Sequence, residues 1–285
     1  MQDARISDML ANIPNIDGDK CSDFRQANGL DLPAFAINLA RRPDRWHALT
    51  QRFRGVGIDR IVRAPAVDGA ALSSETLSVF LGEAADSADA PPGCHLSLTR
   101  PAVGCFLSHL SIWKWVASSG LPCVMVMEDD ASPTPDFNAS LFAAALQSQP
   151  ATGILFPGCT IMSGLAEGRQ QNGLVRVYYF NGTFAYIVSA QACAYLLQHM
   201  LPMRMHVDHQ ISHLLFSRRE EFPGFLMQPA AIQPDWGLGS DCHVDLRDEP
   251  AADRAQRLMF DECRTTLEAE GRELRPDDSP MSQAA

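Results

Sequence analysis

The chain has 285 residues, 46% apolar and 20% charged, with a formal net charge of −11 at pH 7. That suits one large core with appendages, since single cores stop growing near ~250–300 residues. The acidic balance argues against a nucleic-acid or anionic-membrane binder.

The opening MQDARISDML carries acids and no apolar h-region, so no signal peptide is expected. No run reaches the ~18–20 apolar residues of a membrane span. The expectation is a cytoplasmic protein without a transmembrane segment, with peripheral membrane contact left open. Eight cysteines are scattered at 21, 94, 105, 123, 159, 193, 242 and 263, with no C-x-x-C pair. Reduced buried thiols are expected rather than zinc clusters or a disulfide framework.

Residues 1–32 read as a polar extension or small helix. PAFAINL (33–39) reads as a buried strand. A helix follows, with Pro43 and Asp44 in its first turn and Trp46, Leu49 and Phe53 as its apolar stripe. Residues 58–69 form a strand running into a turn, so the chain opens β-α-β with its first loop at 38–44. Residues 82–101 are a long loop. Residues 102–120 form a helix with stripe Val103, Phe106, Leu107 and Leu110, stopped by Gly120. LPCVMVM (121–127) is a strand, DFNASLFAAALQ a short helix and GILFPG a strand. LVRVYYF (174–180) and TFAYIVS (183–189) are separated by Asn-Gly-Thr, which suits a hairpin. Ser189 caps the helix AQACAYLLQHM, residues 206–216 are helical, and 223–240 is punctuated by Gly and Pro. An amphipathic helix spans 249–270, with a tail after 275. It is read as packing on the core, dimerising or touching a membrane, the last disfavoured by its acids. The organisation is a 1–32 extension, a 33–245 domain, and a 246–285 helix and tail. Alternating strands and helices predict an α/β sheet, parallel above all in its first half. Its sites belong at the carboxyl ends of the strands.

One such end carries three acids, in VMVMEDDASP (124–133). Side chains alternate along a strand, so Glu128 and Asp130 point one way and Asp129 the other. Two carboxylates sharing a small site keep a proton or bind a cation. Oxygen ligands suit Mg²⁺ or Mn²⁺, shared with a substrate diphosphate. The same acids could serve as a helix cap or a solvated loop, with Asp129 as a structural member. Other phosphate devices are missing: there is no G-x-x-x-x-G-K-[ST], and GVGIDR (55–60) and GLGSDC (237–242) read as turns.

Three blocks in this order resemble glycosyltransferase family 25. They are INLARRPDRW (37–46), VGCFLSHLSIWKWV (103–116) and the acid block 124–133. GTFAYIVSAQACAYLL (182–197), VDHQI (207–211) and the Ser-Asp of 240–241 are weaker matches. The resemblance covers about residues 33–242. It implies a GT-A-type α/β fold, a Rossmann-like, mostly parallel central sheet flanked by helices. It also implies inverting transfer of a sugar, usually galactose, from a UDP-sugar to a saccharide or glycoconjugate acceptor such as lipopolysaccharide or lipooligosaccharide. The implied cofactor is Mn²⁺ or Mg²⁺. The acid motif falls on Glu128, Asp129 and Asp130. Asp130 is the first candidate metal ligand and Glu128 the second, with His243 completing the set from the C-terminal side. Asn38, Arg42, Asp44, Arg45, Ser108, His109 and Asp129 fall on the donor side. Asp44 reads equally as a helix N-terminal charge and His109 as a core histidine.

Inverting transfer needs a base for the acceptor hydroxyl. Asp208, flanked by His206 and His209, is the candidate, with Asp241 as runner-up. If helical, His206, His209 and His213 share a face, but no Cys or Glu-x-x-His signature accompanies them. Trp236 and Tyr186 are candidates for stacking on sugar, Tyr186 more readily as core. The competing readings are a phosphohydrolase or nucleotidyltransferase using the same acids, and a non-catalytic nucleotide-sugar-binding relative.

Overall fold

Strands β1 (Ala34–Asn38) and β3 (Cys123–Glu128) are apolar on both faces, as strands lying between two helical layers must be. The computed structural model describes residues 2–16, 32–59, 61–81, 98–159, 165–171, 173–238 and 249–274. The other strands are β2 (Ile61–Pro65), β4 (Ala131–Pro133), β5 (Ile154–Phe156), β6 (Ala166–Gln171), β7 (Leu174–Val177), β8 (Ala185–Ser189), β9 (Gly224–Met227) and β10 (Ile232–Pro234). The helices are α1 (Gln2–Asn12), α2 (Pro43–Arg54), α3 (Ser74–Leu81), α4 (Arg100–Ser119), α5 (Ala139–Gln147), α6 (Ala190–His199), α7 (Val207–Ser217) and α8 (Glu249–Ala269).

Eight strands form one sheet in the order β2-β1-β3-β8-β5-β9-β7-β6, and β4 pairs antiparallel with β10. The sheet is parallel across β2-β1-β3, as expected of its first half. Strand β8 then enters antiparallel to β3 and β5, and β5 runs parallel to β9. Helices flank both faces of this α/β fold. Val124 and Val126 face a core shared with α1, α3, α4, α6 and α7. Met125 and Met127 face a core shared with α2 and α5.

The expected hairpin between 174–180 and 183–189 does not form. Strand β7 pairs with β6 and β9, whereas β8 pairs with β3 and β5. Both strands are largely buried, so each takes two neighbours inside the sheet, and β5 and β9 lie between them. Residues 178–184 therefore cross from one part of the sheet to another instead of turning back.

The terminal helix packs on the domain. Cys263 of α8 joins Leu165 and Tyr179 in a small cluster, and Arg272 reaches Glu220 at 2.9 Å. Among the described residues, Cys105, Cys123, Cys159, Cys193 and Cys263 form no disulfide. No helix among them is long and apolar enough to cross a membrane.

Helix α4 is set by close approach to the loop after β2. Thr99 caps its N-terminus, and Gly120 ends it in the left-handed region, at φ 77°. A Cβ at Gly104 would lie 2.5 Å from the backbone nitrogen of Gly69 and 2.6 Å from the Val67 carbonyl oxygen. One turn on, the Ser108 hydroxyl accepts the Val67 N–H at 2.8 Å and donates to the Gly104 carbonyl at 2.7 Å. Gly104→Ala must push two backbones apart, so it should cost about 1–3 kcal/mol. Thermal denaturation should show this as a lowered melting temperature, and an unchanged one would contradict the contact.

Candidate active site

Parallel pairing puts Ile37 opposite Glu128, so Asn38 and the three acids emerge side by side at the carboxyl ends of β1 and β3. The alternation of β3 carries into the motif. Glu128 turns toward α4, where His109 lies, and Asp129 turns toward α2, where Arg45 lies.

Asp129 is buried and fully engaged. It accepts from Asn38 Nδ2 at 2.6 Å and from Arg45 Nη1 at 3.0 Å. The Asn38 amide also donates to the Arg42 carbonyl at 2.9 Å, and its oxygen accepts from Arg63 Nε at 2.8 Å. Arg45 continues to the Leu238 carbonyl at 2.8 Å. Arg52 bridges the Asp235 carboxylate at 2.9 Å and the Asp129 carbonyl at 3.3 Å, and the Asp235 N–H donates to the Asp130 carbonyl at 2.7 Å. Burial pushes the Asp129 carboxyl up, against the opposing pull of Asn38 and Arg45. Asp129 thus ties the 38–45 loop and the 235–238 segment to the end of β3. Arg42 lies at the edge, paired at 2.9 Å with Asp44, whose side chain is 62% exposed.

The other two acids are placed differently. Glu128 accepts from the Thr183 hydroxyl, and its Oε1 lies 3.4 Å from His109 Nε2. His109 is fully buried, with Nδ1 2.7 Å from Tyr186 Oη, and Trp113 Nε1 donates to the same oxygen at 2.9 Å. Ser108 and His109 are therefore buried beneath the site rather than lining its mouth. Asp130 has a buried Oδ1 with no hydrogen-bond partner among the described residues. Burial, then the charges of Glu128 and Asp129, push its carboxyl up to about 7, with Arg45 opposing. A bare buried carboxylate oxygen beside two other acids is a setting that a divalent cation would complete.

Asp208 sits in the first turn of α7 and accepts the Gly182 N–H at 2.8 Å and the His209 N–H at 2.9 Å. Burial pushes its carboxyl up, but His209, the Gly182 N–H and His206 outweigh this and hold it below the usual carboxylate range. Gly182 and Thr183 are consecutive, so one turn holds both Asp208 and Glu128. Sequence reasoning placed these two acids in separate blocks and missed the connecting Thr183. It also missed Trp113, whose signal lay in the motif: residues 104, 105, 108, 109 and 113 share one face of α4. Tyr186 is the core residue that the sequence favoured, and what the sequence did not convey is its contact with His109.

The histidines near Asp208 do not assemble a metal trio. Among the described residues, the Cys, His, Asp and Glu group of three that converges is Cys105, His109 and Glu128. Tyr186 is core, whereas Trp236 is 74% exposed on a short turn beside Asp235. Asp241 and His243 lie outside the described residues.

The raised Asp130 carboxyl has a stability consequence with a definite sign. The folded state holds this proton more tightly than the unfolded chain, so stability present near pH 4 is lost as pH rises toward about 7. Asp130→Asn removes that loss. In metal-free buffer at pH 8 the variant should be the more stable protein, by a margin bounded at about 4 kcal/mol. The two should converge by pH 4. Urea titrations at both pH values test this; a less stable variant at pH 8 would refute it.

Comparison with known proteins bears on this geometry. The family described as Glycosyltransferase family 25 (LPS biosynthesis protein) matches residues 31–211. A protein named Glycosyltransferase 25 family member from Drosophila melanogaster is 32% identical over 225 residues, 74% of this chain and 36% of that one. Its namesake from Aedes aegypti is 26% identical over 83% of this chain and 41% of its own. A cattle protein, named Probable inactive glycosyltransferase 25 family member 3, is 40% identical over 38% of this chain and 18% of its own. This chain thus spans less than half the length of these three relatives. Among solved structures, a mannose-1-phosphate geranyltransferase from Thermus thermophilus shares 10% identity over 71% of this chain and 75% of that one. Its TM-score of 0.35 is too distant a likeness to bear on function. The matched span contains β1, α4, β3 and the Gly182–Thr183 turn with Asp208, and the chain belongs to glycosyltransferase family 25.

Proposed function

We propose that this chain is a metal-dependent, inverting glycosyltransferase. It would move a sugar, galactose by family expectation, from a UDP-sugar to a hydroxyl of a saccharide or glycoconjugate. The observation that carries this reading is the buried Oδ1 of Asp130 beside Glu128, at the end of β3, which has no hydrogen-bond partner among the described residues. The family description names LPS biosynthesis, which favours a lipopolysaccharide or lipooligosaccharide acceptor.

Asp130 and Glu128 would hold Mn²⁺ or Mg²⁺, with His243 as a further ligand. When bound, the ion supplies charge neutralisation to the diphosphate leaving group. The protein's own residues do the rest. Asp129 fixes the loop bearing Asn38, Arg42, Asp44 and Arg45, and the exposed edge at Arg42 and Asp44 faces the nucleotide. Ser108 and His109 act from below, one holding the loop after β2 and the other lying against Glu128. Asp208 is ionised across neutral pH, the form that takes a proton from the acceptor hydroxyl.

Calorimetric titration of UDP, with Mn²⁺ and with EDTA, tests the donor half. Wild type should bind UDP with Mn²⁺ and lose it in EDTA, and Asp130→Asn should lose the metal-dependent binding. UDP binding indifferent to both metal and substitution would overturn the assignment. Asp208→Asn should keep UDP binding within about twofold while transfer falls by about 10²–10⁴-fold, the range of a lost general base. The cattle relative's name makes one further outcome informative. Metal-dependent UDP binding without any transfer, across a panel of UDP-sugars and saccharides, would favour a non-catalytic relative.

A further inference from the structure

We propose that Cys105, His109 and Glu128 form a second metal site, for a borderline-soft divalent cation such as Zn²⁺. The ligand atoms of the three residues all lie within 4.8 Å of one another. Cys105 and His109 are one turn apart on α4, so their side chains leave the same face of the helix. Glu128 comes from β3 across the interface. A thiolate, an imidazole and a carboxylate form a donor set that suits Zn²⁺ or Co²⁺, whereas Mg²⁺ and Mn²⁺ prefer oxygen alone.

The second observation is His109 itself. The side chain is fully buried, and Nε2 has no hydrogen-bond partner among the described residues. It lies 3.4 Å from Glu128 Oε1, yet the pair is not aligned as a hydrogen bond. Two atoms bound at ~2.0–2.1 Å to one tetrahedral ion stand about 3.3–3.4 Å apart. The observed separation therefore matches an edge of a zinc tetrahedron. The Cys105 sulfur lies within 4.8 Å of both atoms, so a side-chain adjustment of at most about 1.4 Å brings it to the third corner at Zn–S distances near ~2.3 Å. The outer shell is also present. Nδ1 meets Tyr186 Oη at 2.7 Å, and Trp113 Nε1 donates to the same oxygen at 2.9 Å. Metal-bound histidines characteristically donate their other ring N–H to such a partner.

Binding displaces the thiol proton of Cys105 to solvent and leaves a metal–thiolate bond. Glu128 is partly exposed, which gives the ion a way in from solvent. The site uses Glu128 but not Asp130, so a soft ion here withdraws Glu128 from the oxygen-rich side of the motif. The proposal stands without the transferase reading, because two of its three ligands, Cys105 and His109, lie outside the proposed donor-metal set.

Cobalt is the probe, since a thiolate bound to Co²⁺ gives a near-ultraviolet charge-transfer band. The full chain, stripped with EDTA and free of nucleotide, is titrated with Co²⁺. Wild type should develop that band, with tetrahedral visible bands, saturating at one equivalent and bleached by Zn²⁺. Cys105→Ser should lose the charge-transfer band and weaken Co²⁺ binding at least about tenfold. Asp130→Asn should retain it, separating this site from the proposed donor metal. His109→Gln serves as a second ligand variant should Cys105→Ser fail to fold by circular dichroism. No charge-transfer band in the wild type would overturn the proposal, as would a band undiminished in the folded ligand variants.

Discussion

The buried pair between Arg45 and Asp129 is the contact on which the rest of the site depends. Charges of this kind are costly to bury, and breaking such a pair by removing one partner typically costs about 3–5 kcal/mol. Here the cost is met by supplementary hydrogen bonds: Asn38 to Asp129, Arg63 to Asn38, and Arg45 to the Leu238 carbonyl. The result is one network joining the ends of two strands, the start of α2 and a segment far away in sequence. With Asp129 committed to structure, its neighbours on either side are left for other work.

That division of labour follows from the pleat. A strand sends alternate side chains to opposite faces, and β3 does so up to its last residue. Its α2 side offers a guanidinium, and its α4 side offers an imidazole and a thiol. Three adjacent acids thus meet three unlike environments: Asp129 is paired with Arg45, Glu128 is oriented by Thr183 and approached by His109, and Asp130 has a buried oxygen without a hydrogen-bond partner among the described residues. Their mutual repulsion is eased because Arg45 pairs with Asp129, and because burial and the neighbouring charges favour the protonated form of Asp130 up to about pH 7.

Much of this was legible in the residues. Apolar runs marked β1 and β3, and the period-two rule separated Asp129 from its neighbours. The block around α4 marked the right helix. What it could not convey was direction. Ser108 and His109 share that block with Gly104 and Trp113, yet they work from beneath, through the Val67 loop and through Tyr186. The order of β7 and β8 was also hidden. Two apolar runs flanking Asn-Gly-Thr suit a hairpin locally, and only competition for partners inside a buried sheet sends them apart. The link from Glu128 to Asp208 depended on that crossing, so it was beyond local patterning.

The crossing between β7 and β8 has a further consequence. Gly182 gives its N–H to one carboxylate, and Thr183 gives its hydroxyl to the other. Adjacent residues of a planar, trans chain cannot drift apart, since consecutive Cα atoms keep a spacing of about 3.8 Å. The interval between the two acids is thereby gauged by covalent geometry, which is far stiffer than side-chain packing. Surrounding loops can shift without separating the two carboxylates, because this internal ruler keeps them in register.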